Sequence, residues 1–97
     1  MYAIAFIRYR RPLEEVLKHV DEHRAYLRDL KARGVMLASG PFEPRSGGAA
    51  IFRVPDAGAD ATLLALRDGD PFVKHGAAQW EIQGWLPNIG REDLDGL

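Results

Sequence analysis

Ninety-seven residues carry thirteen Lys and Arg against fourteen Asp and Glu, a formal net charge of −1, with 46% hydrophobic and 28% charged residues. That balance describes one globular domain, with no basic footprint for a phosphate backbone and no apolar run near the roughly 20 residues that cross a bilayer. Cysteine is absent, which excludes disulfides, thiolate metal sites and a cysteine nucleophile. In the opening MYAIAFIRYR the basic residues follow the apolar stretch, the reverse of a signal peptide, so the expected location is cytoplasmic.

Tyr2 to Tyr9 is β-branched, aromatic or small, and reads as a strand. Its even positions (Tyr2, Ile4, Phe6, Arg8) and odd positions (Ala3, Ala5, Ile7, Tyr9) are both largely apolar, so both faces are expected to be covered. Pro12 to Arg33 reads as one long helix, with proline near its start, Glu14 and Glu15 in the first turn, and Gly34 as its left-handed cap. Its apolar stripe is Leu13, Val16, Leu17, Val20, Leu27 and Leu30, and His23 and Arg24 fall in the gap after Val20. A second strand is expected at Val35 to Ser39, ended by Gly40-Pro41, and turn chemistry fills Glu43 to Gly48 before a third strand at Ala49 to Val54. A shorter helix follows at Asp56 to Arg67. Asp70-Pro71 has the form of an N-cap and first position of a single helical turn that Gly76 closes. The last strand runs from Gln79 to Leu86. The domain therefore spans 1–87, and 88–97 reads as a polar C-terminal tail.

The order β-α-β-β-α-β is the ferredoxin-like arrangement: an α+β fold with two helices on one face of a four-stranded antiparallel sheet. Two helices cover only one face. The apolar residues of the other face need a partner, and a second copy packed sheet to sheet supplies it, so a homodimer is expected.

His23 shares a helix face with Val16, Val20, Leu27 and Leu30, so its imidazole points toward the sheet. It is either a core histidine satisfied by one hydrogen bond or a general acid/base at the mouth of a pocket. His19 to His23 matches H-x-x-E-H, the pattern of inverted zinc proteases. Such a site needs a third protein ligand and a substrate cleft; the match is read as accidental, and no metal or cofactor is expected. Asp70 caps its turn, yet an ionised carboxylate has room to accept from an imidazole as well. Ser39, Gly40 and Pro41 end a strand where a ligand can approach the backbone. Arg8 either holds an anionic substrate or sits at an exposed strand end.

His23-Arg24-Ala25-Tyr26-Leu27, Gly34 to Pro41 (GVMLASGP), and Asp70-Pro71-Phe72 with Gly76, in this order and spacing, resemble the YciI-like (YCII-related) family across about Tyr2 to Trp85. The resemblance implies a dimeric α+β barrel and an active-site histidine and aspartate, which map onto His23 and Asp70. One branch of that family resembles a dehydrochlorinase of chlorinated hydroxyhydroquinones, and related barrels include muconolactone isomerases. The expectation is a cofactor-free enzyme acting on a small hydroxylated ring or lactone by proton transfer, isomerisation or elimination. In it His23 is the acid/base, Asp70 orients it, Ser39, Gly40 and Pro41 meet a polar group, and Phe72 with Tyr26 forms the apolar wall. A binding or regulatory homodimer without turnover is the alternative.

Overall fold

The computed structural model describes all residues, Met1–Leu97. Four strands, β1 (Tyr2–Tyr9), β2 (Met36–Pro41), β3 (Gly47–Arg53) and β4 (Ala78–Trp85), form one sheet in the order β2-β3-β1-β4. Every pairing is antiparallel. Between them lie α1 (Leu13–Leu17), α2 (Val20–Ala32), α3 (Ala59–Gly69) and α4 (Pro71–Lys74), and α5 (Arg91–Asp95) follows β4. This is the ferredoxin-like α+β fold that the element order predicts. No helix is long and apolar enough to cross a membrane.

The two faces of β1 separate as its alternation requires. Ala3, Ala5 and Ile7 are buried under the helices with Phe52, Ala50 and Trp80 from the neighbouring strands. Ile4 and Phe6 point the other way and stay half-buried, beside Ile51 and Ala49 of β3. Trp80 belongs to the helix-covered face and Trp85 to the open one, because they pair with Ile7 and Tyr2 respectively.

The long helix expected over Pro12–Arg33 is two helices. Lys18 N–H and His19 N–H donate to the carbonyls three residues back, Glu15 and Val16 (3.3 and 3.0 Å), so α1 tightens into a 3₁₀ turn and stops. The helix restarts when His23 N–H donates to the His19 carbonyl at 3.1 Å. Neither proline nor glycine marks the break. The buried stripe is still continuous: Val16, Val20, His23, Leu27 and Leu30 follow at spacings that one helix face requires. Gly34 ends α2 at φ +75°. Val35 N–H reaches the Leu30 carbonyl (3.0 Å) and Gly34 N–H that of Lys31 (3.1 Å), the paired bonds of a Schellman cap. The helix expected from Asp56 starts instead at Ala59, after Gly58 takes a left-handed conformation at φ +72°.

β3 begins two residues before its expected start, at Gly47 and Gly48, and those glycines are a steric requirement. A Cβ on Gly47 would lie 2.0 Å from the Ile7 carbonyl oxygen, and one on Gly48 would lie 2.6 Å from that of Gly40. Gly47→Ala should therefore force β1 and β3 apart and cost about 1–3 kcal/mol in a urea unfolding series; an unchanged midpoint would refute the close approach. In β2, Leu37 is an extra residue: Met36 pairs with Phe52 and Ala38 with Ile51, the shift of a β-bulge.

The segment read as a polar tail contains α5, which docks on the open face of the sheet at its Tyr2 end. Arg53 donates to the carbonyls of Leu94 (2.9 Å) and Leu97 (2.6 Å), the Tyr2 hydroxyl bonds Asp95, and the Arg91 guanidinium lies 5.7 Å from the centre of the Tyr2 ring. The Asp95 hydrogen bond, and burial after it, push the Tyr2 phenol above its ordinary pKa.

Candidate active site

α4 is four residues long, and its purpose is legible in its caps. Asp70 precedes Pro71 with an extended backbone, φ −70° and ψ 123°, and its Oδ1 accepts from Phe72 N–H at 3.0 Å. Gly76 closes the turn at φ +68° with a second Schellman pair, Ala77 N–H to the Phe72 carbonyl (2.8 Å) and Gly76 N–H to that of Val73 (3.1 Å). The turn therefore fixes two side chains, Asp70 and Phe72, both essentially without solvent exposure.

Asp70 collects three donors. His23 Nδ1 lies 2.7 Å from Oδ1, Phe72 N–H binds the same oxygen, and Trp80 Nε1–H binds Oδ2 at 2.8 Å. The backbone amide and the indole can only donate, so both carboxylate oxygens are held as acceptors. Nδ1 of His23 therefore donates, and in the neutral ring Nε2 carries the free lone pair. Nε2 has no partner in the protein, and no buried side-chain nitrogen or oxygen is left unpartnered, so Nε2 reaches solvent. The residue is only 9% exposed, and its ring lies flat on Phe72, with centroids 3.8 Å apart and planes within 6°. Stacking on one side and the Asp70 bond at one edge leave the imidazole a single orientation.

Nε2 opens toward a cleft of about 450 Å³ between α2 and the β2–β3 end of the sheet. That volume suits a small organic molecule. His23, Phe72, Ser39, Gly40 and Pro41 all line it. Ser39 arrives there because of the Leu37 bulge. Paired with Ala50, which pairs with Ala5, it shares the helix-covered face, where unbroken alternation from Met36 would have placed Ala38.

Two expected residues stand apart from the cleft. Arg8 lies on the opposite face of the sheet, two residues along from the partner of Glu81 on the same face, and its guanidinium meets that carboxylate at 3.2 Å in solvent. Even positions of β1 face away from the helices, so Arg8 cannot reach a ligand beside His23. Tyr26 turns toward α3: its hydroxyl donates to the Leu66 carbonyl at 2.7 Å, and its ring rests on Gly69, where a Cβ would lie 2.5 Å from that hydroxyl. Burial, with the Asp70 charge after it, raises the Tyr26 phenol pKa. A raised value keeps its stabilisation fully below the ordinary 10.0 and loses it as pH climbs through the folded value. Denaturant midpoints should accordingly fall above pH 10, and Tyr26→Phe should flatten that alkaline limb; identical profiles would show that another group titrates.

Sequence reasoning missed two features. Trp80 is more than core, since its indole N–H fixes the second oxygen of Asp70. The signal was present in the alternation of β4, which puts Trp80 on the buried face. The cationic side chains of the cleft rim, Arg24, Arg28, Lys31 and Arg45, were also missed. The first three lie at i, i+4 and i+7, one position beyond His23, Leu27 and Leu30, and so form a stripe along the edge of the buried face. The H-x-x-E-H pattern comes apart in space. His19 precedes α2 and stacks on His75 at 4.0 Å, whereas His23 turns to Asp70.

Fold and site together define a ferredoxin-like domain in which a buried carboxylate holds a histidine at the edge of a cleft. The model of the YCII-related domain matches residues 1–86, and the chain belongs to that family. Among solved structures it is similar to the 5-chloro-2-hydroxyhydroquinone dehydrochlorinase (TftG) of Burkholderia phenoliruptrix AC1100, in complex with 2,5-dihydroxybenzoquinone. The TM-score is 0.72, with 22% identity, covering 89% of this chain and 94% of that one. At that identity the likeness shows the fold. No curated protein matches the chain.

Proposed function

We propose that the protein is a cofactor-free acid–base enzyme acting on a small hydroxylated ring or lactone-type compound, with His23 as proton acceptor and donor and Asp70 as its orienting partner. The observation that carries this reading is the 2.7 Å bond from Nδ1 to a fully buried carboxylate, which leaves Nε2 as the acceptor facing the cleft. As the neutral ring takes a proton at Nε2, Asp70 stabilises the imidazolium without moving. Ser39 and the backbone near Gly40 and Pro41 offer polar partners to a substrate oxygen, and Phe72 and Ile7 offer apolar wall. The reaction in TftG's name removes the elements of hydrogen chloride from a hydroxyhydroquinone, and any such elimination, like an isomerisation, needs a positioned group that takes a proton.

The uncovered sheet face is proposed to pack on a second copy of the chain. Ile4, Phe6 and Ile51 lie half-buried there, beyond the end that α5 covers.

The test is long-range ¹H–¹⁵N NMR of His23 with a panel of hydroquinones, hydroxybenzoquinones and lactones. The Nδ1–H tautomer is expected in the free protein, and a compound that binds should shift the Nε2 signal and raise the melting temperature. The Nε2–H tautomer, or a panel that moves neither observable, would sink the reading. Binding without turnover would leave the ligand-binding module in its place.

A further inference from the structure

The cleft is one-sided in charge. Arg24, Arg28 and Lys31 line it from α2, Arg45 lines it from the β2–β3 turn, and no acidic side chain lines it at all. This is not a basic protein: its formal net charge is −1. Of the three acidic residues of α2, Asp29 meets Arg33 at 3.1 Å and Glu22 lies beside His75 at 3.6 Å, while Asp21 forms no ion pair and does not line the cleft. None of the four cleft cations takes part in an ion pair, although seven such pairs form across the molecule. The only bond among them is from Arg45 Nε to the Tyr9 hydroxyl, at 3.3 Å. Four like charges around one concavity repel each other and focus a positive potential into it. An anionic guest relieves that repulsion, and arginine matches a carboxylate with parallel hydrogen bonds.

We propose that the substrate of this cleft is a carboxylate-bearing ring, its acid group held at the rim by Arg28 and Lys31 with Arg24 and Arg45 beside them. The ring is then laid against Phe72 with its reacting carbon toward His23. This rests on the acid–base reading and adds the class of compound. It also accounts for Arg8: the anion-binding role expected of that residue belongs to the stripe on α2 instead.

The experiment is calorimetric titration of the whole chain with 2,5-dihydroxybenzoate and with its methyl ester, alongside the His23 NMR signal. The two probes differ by one negative charge and share the ring. The acid should bind about tenfold tighter than the ester, in keeping with a hydrogen bond to a charged group. That preference should shrink as salt rises. The double variant Arg28→Gln/Lys31→Gln should erase it, and His23→Ala should preserve it. Equal affinity for acid and ester, no binding of the acid by the wild type, or a preference untouched by the double variant would each overturn the proposal. The two readings fail separately. An acid preference with the His23 signal unmoved upholds the charge assignment and sinks the acid–base reading, whereas equal affinities with that signal shifted do the opposite.

Discussion

Asp70→Ala should cost about 3–5 kcal/mol, a third or more of the stability of a typical small domain. Its carboxylate has no solvent exposure, and three donors converge on it. Truncation leaves the Phe72 amide and the Trp80 indole N–H buried without partners, removes the N-cap of α4, and frees His23 from its only polar contact. Asparagine does not repair this. If its amide nitrogen takes the place of Oδ2 it faces the Trp80 N–H, and if it takes the place of Oδ1 it faces the Phe72 N–H, so one donor confronts another in either orientation. Asp70→Asn should therefore also destabilise, by about 1–3 kcal/mol. Urea midpoints of both variants, and of the Trp80→Phe variant that removes the indole donor, check the account. A wild-type midpoint for Asp70→Asn would show that the carboxylate charge is not needed to hold the site.

The second large effect concerns turnover. His23→Ala should reduce the rate on any substrate found for the cleft by about 10²–10⁴-fold, the worth of a positioned acid or base. The variant loses the stack on Phe72, so its folding must be checked by circular dichroism and by its melting temperature. His23→Gln keeps more of the side-chain volume and serves where the alanine variant is too weak. The space left by the alanine variant adjoins the cleft, so free imidazole should enter and restore part of the rate. Rescue by imidazole separates a lost proton carrier from a damaged scaffold. Full activity without His23 would end the acid–base reading.

Much of the site is written in local sequence, and that is why it can be read. Asp70-Pro71 and Gly76 bound a turn by the same rules whatever surrounds them, and the alternation along Tyr2–Tyr9 separates a covered face from an open one. His23 continues the apolar spacing of the α2 stripe, which was enough to point it at the sheet. The pairing of His23 with Asp70 spans 47 residues and had no local signature; only the family resemblance suggested it. Other features were hidden for stated physical reasons. The stop after Leu17 depends on carbonyl bonding that Lys18 and His19 do not advertise. Tyr26 is an aromatic near His23 in sequence, but the bare Gly69 surface and the Leu66 carbonyl draw it to α3. Arg8 was read without its register, and its place opposite Gln79, on the face where it meets Glu81, settles which side it occupies.

The extra residue at Leu37 has a consequence for how this site can vary. Most clefts change what they present through replacement of one side chain by another. Here the identity of the strand residues that face the cleft is set by phase: Ser39 and Pro41 lie on the helix-covered face, and Ala38 and Gly40 on the other, because one residue is looped out upstream. Were Leu37 drawn into the ladder, Ala38 and Gly40 would take the places of Ser39 and Pro41, and a hydroxyl and a rigid ring would give way to a methyl group and bare backbone with no letter altered. At this edge of the sheet, specificity is encoded in strand register as well as in composition.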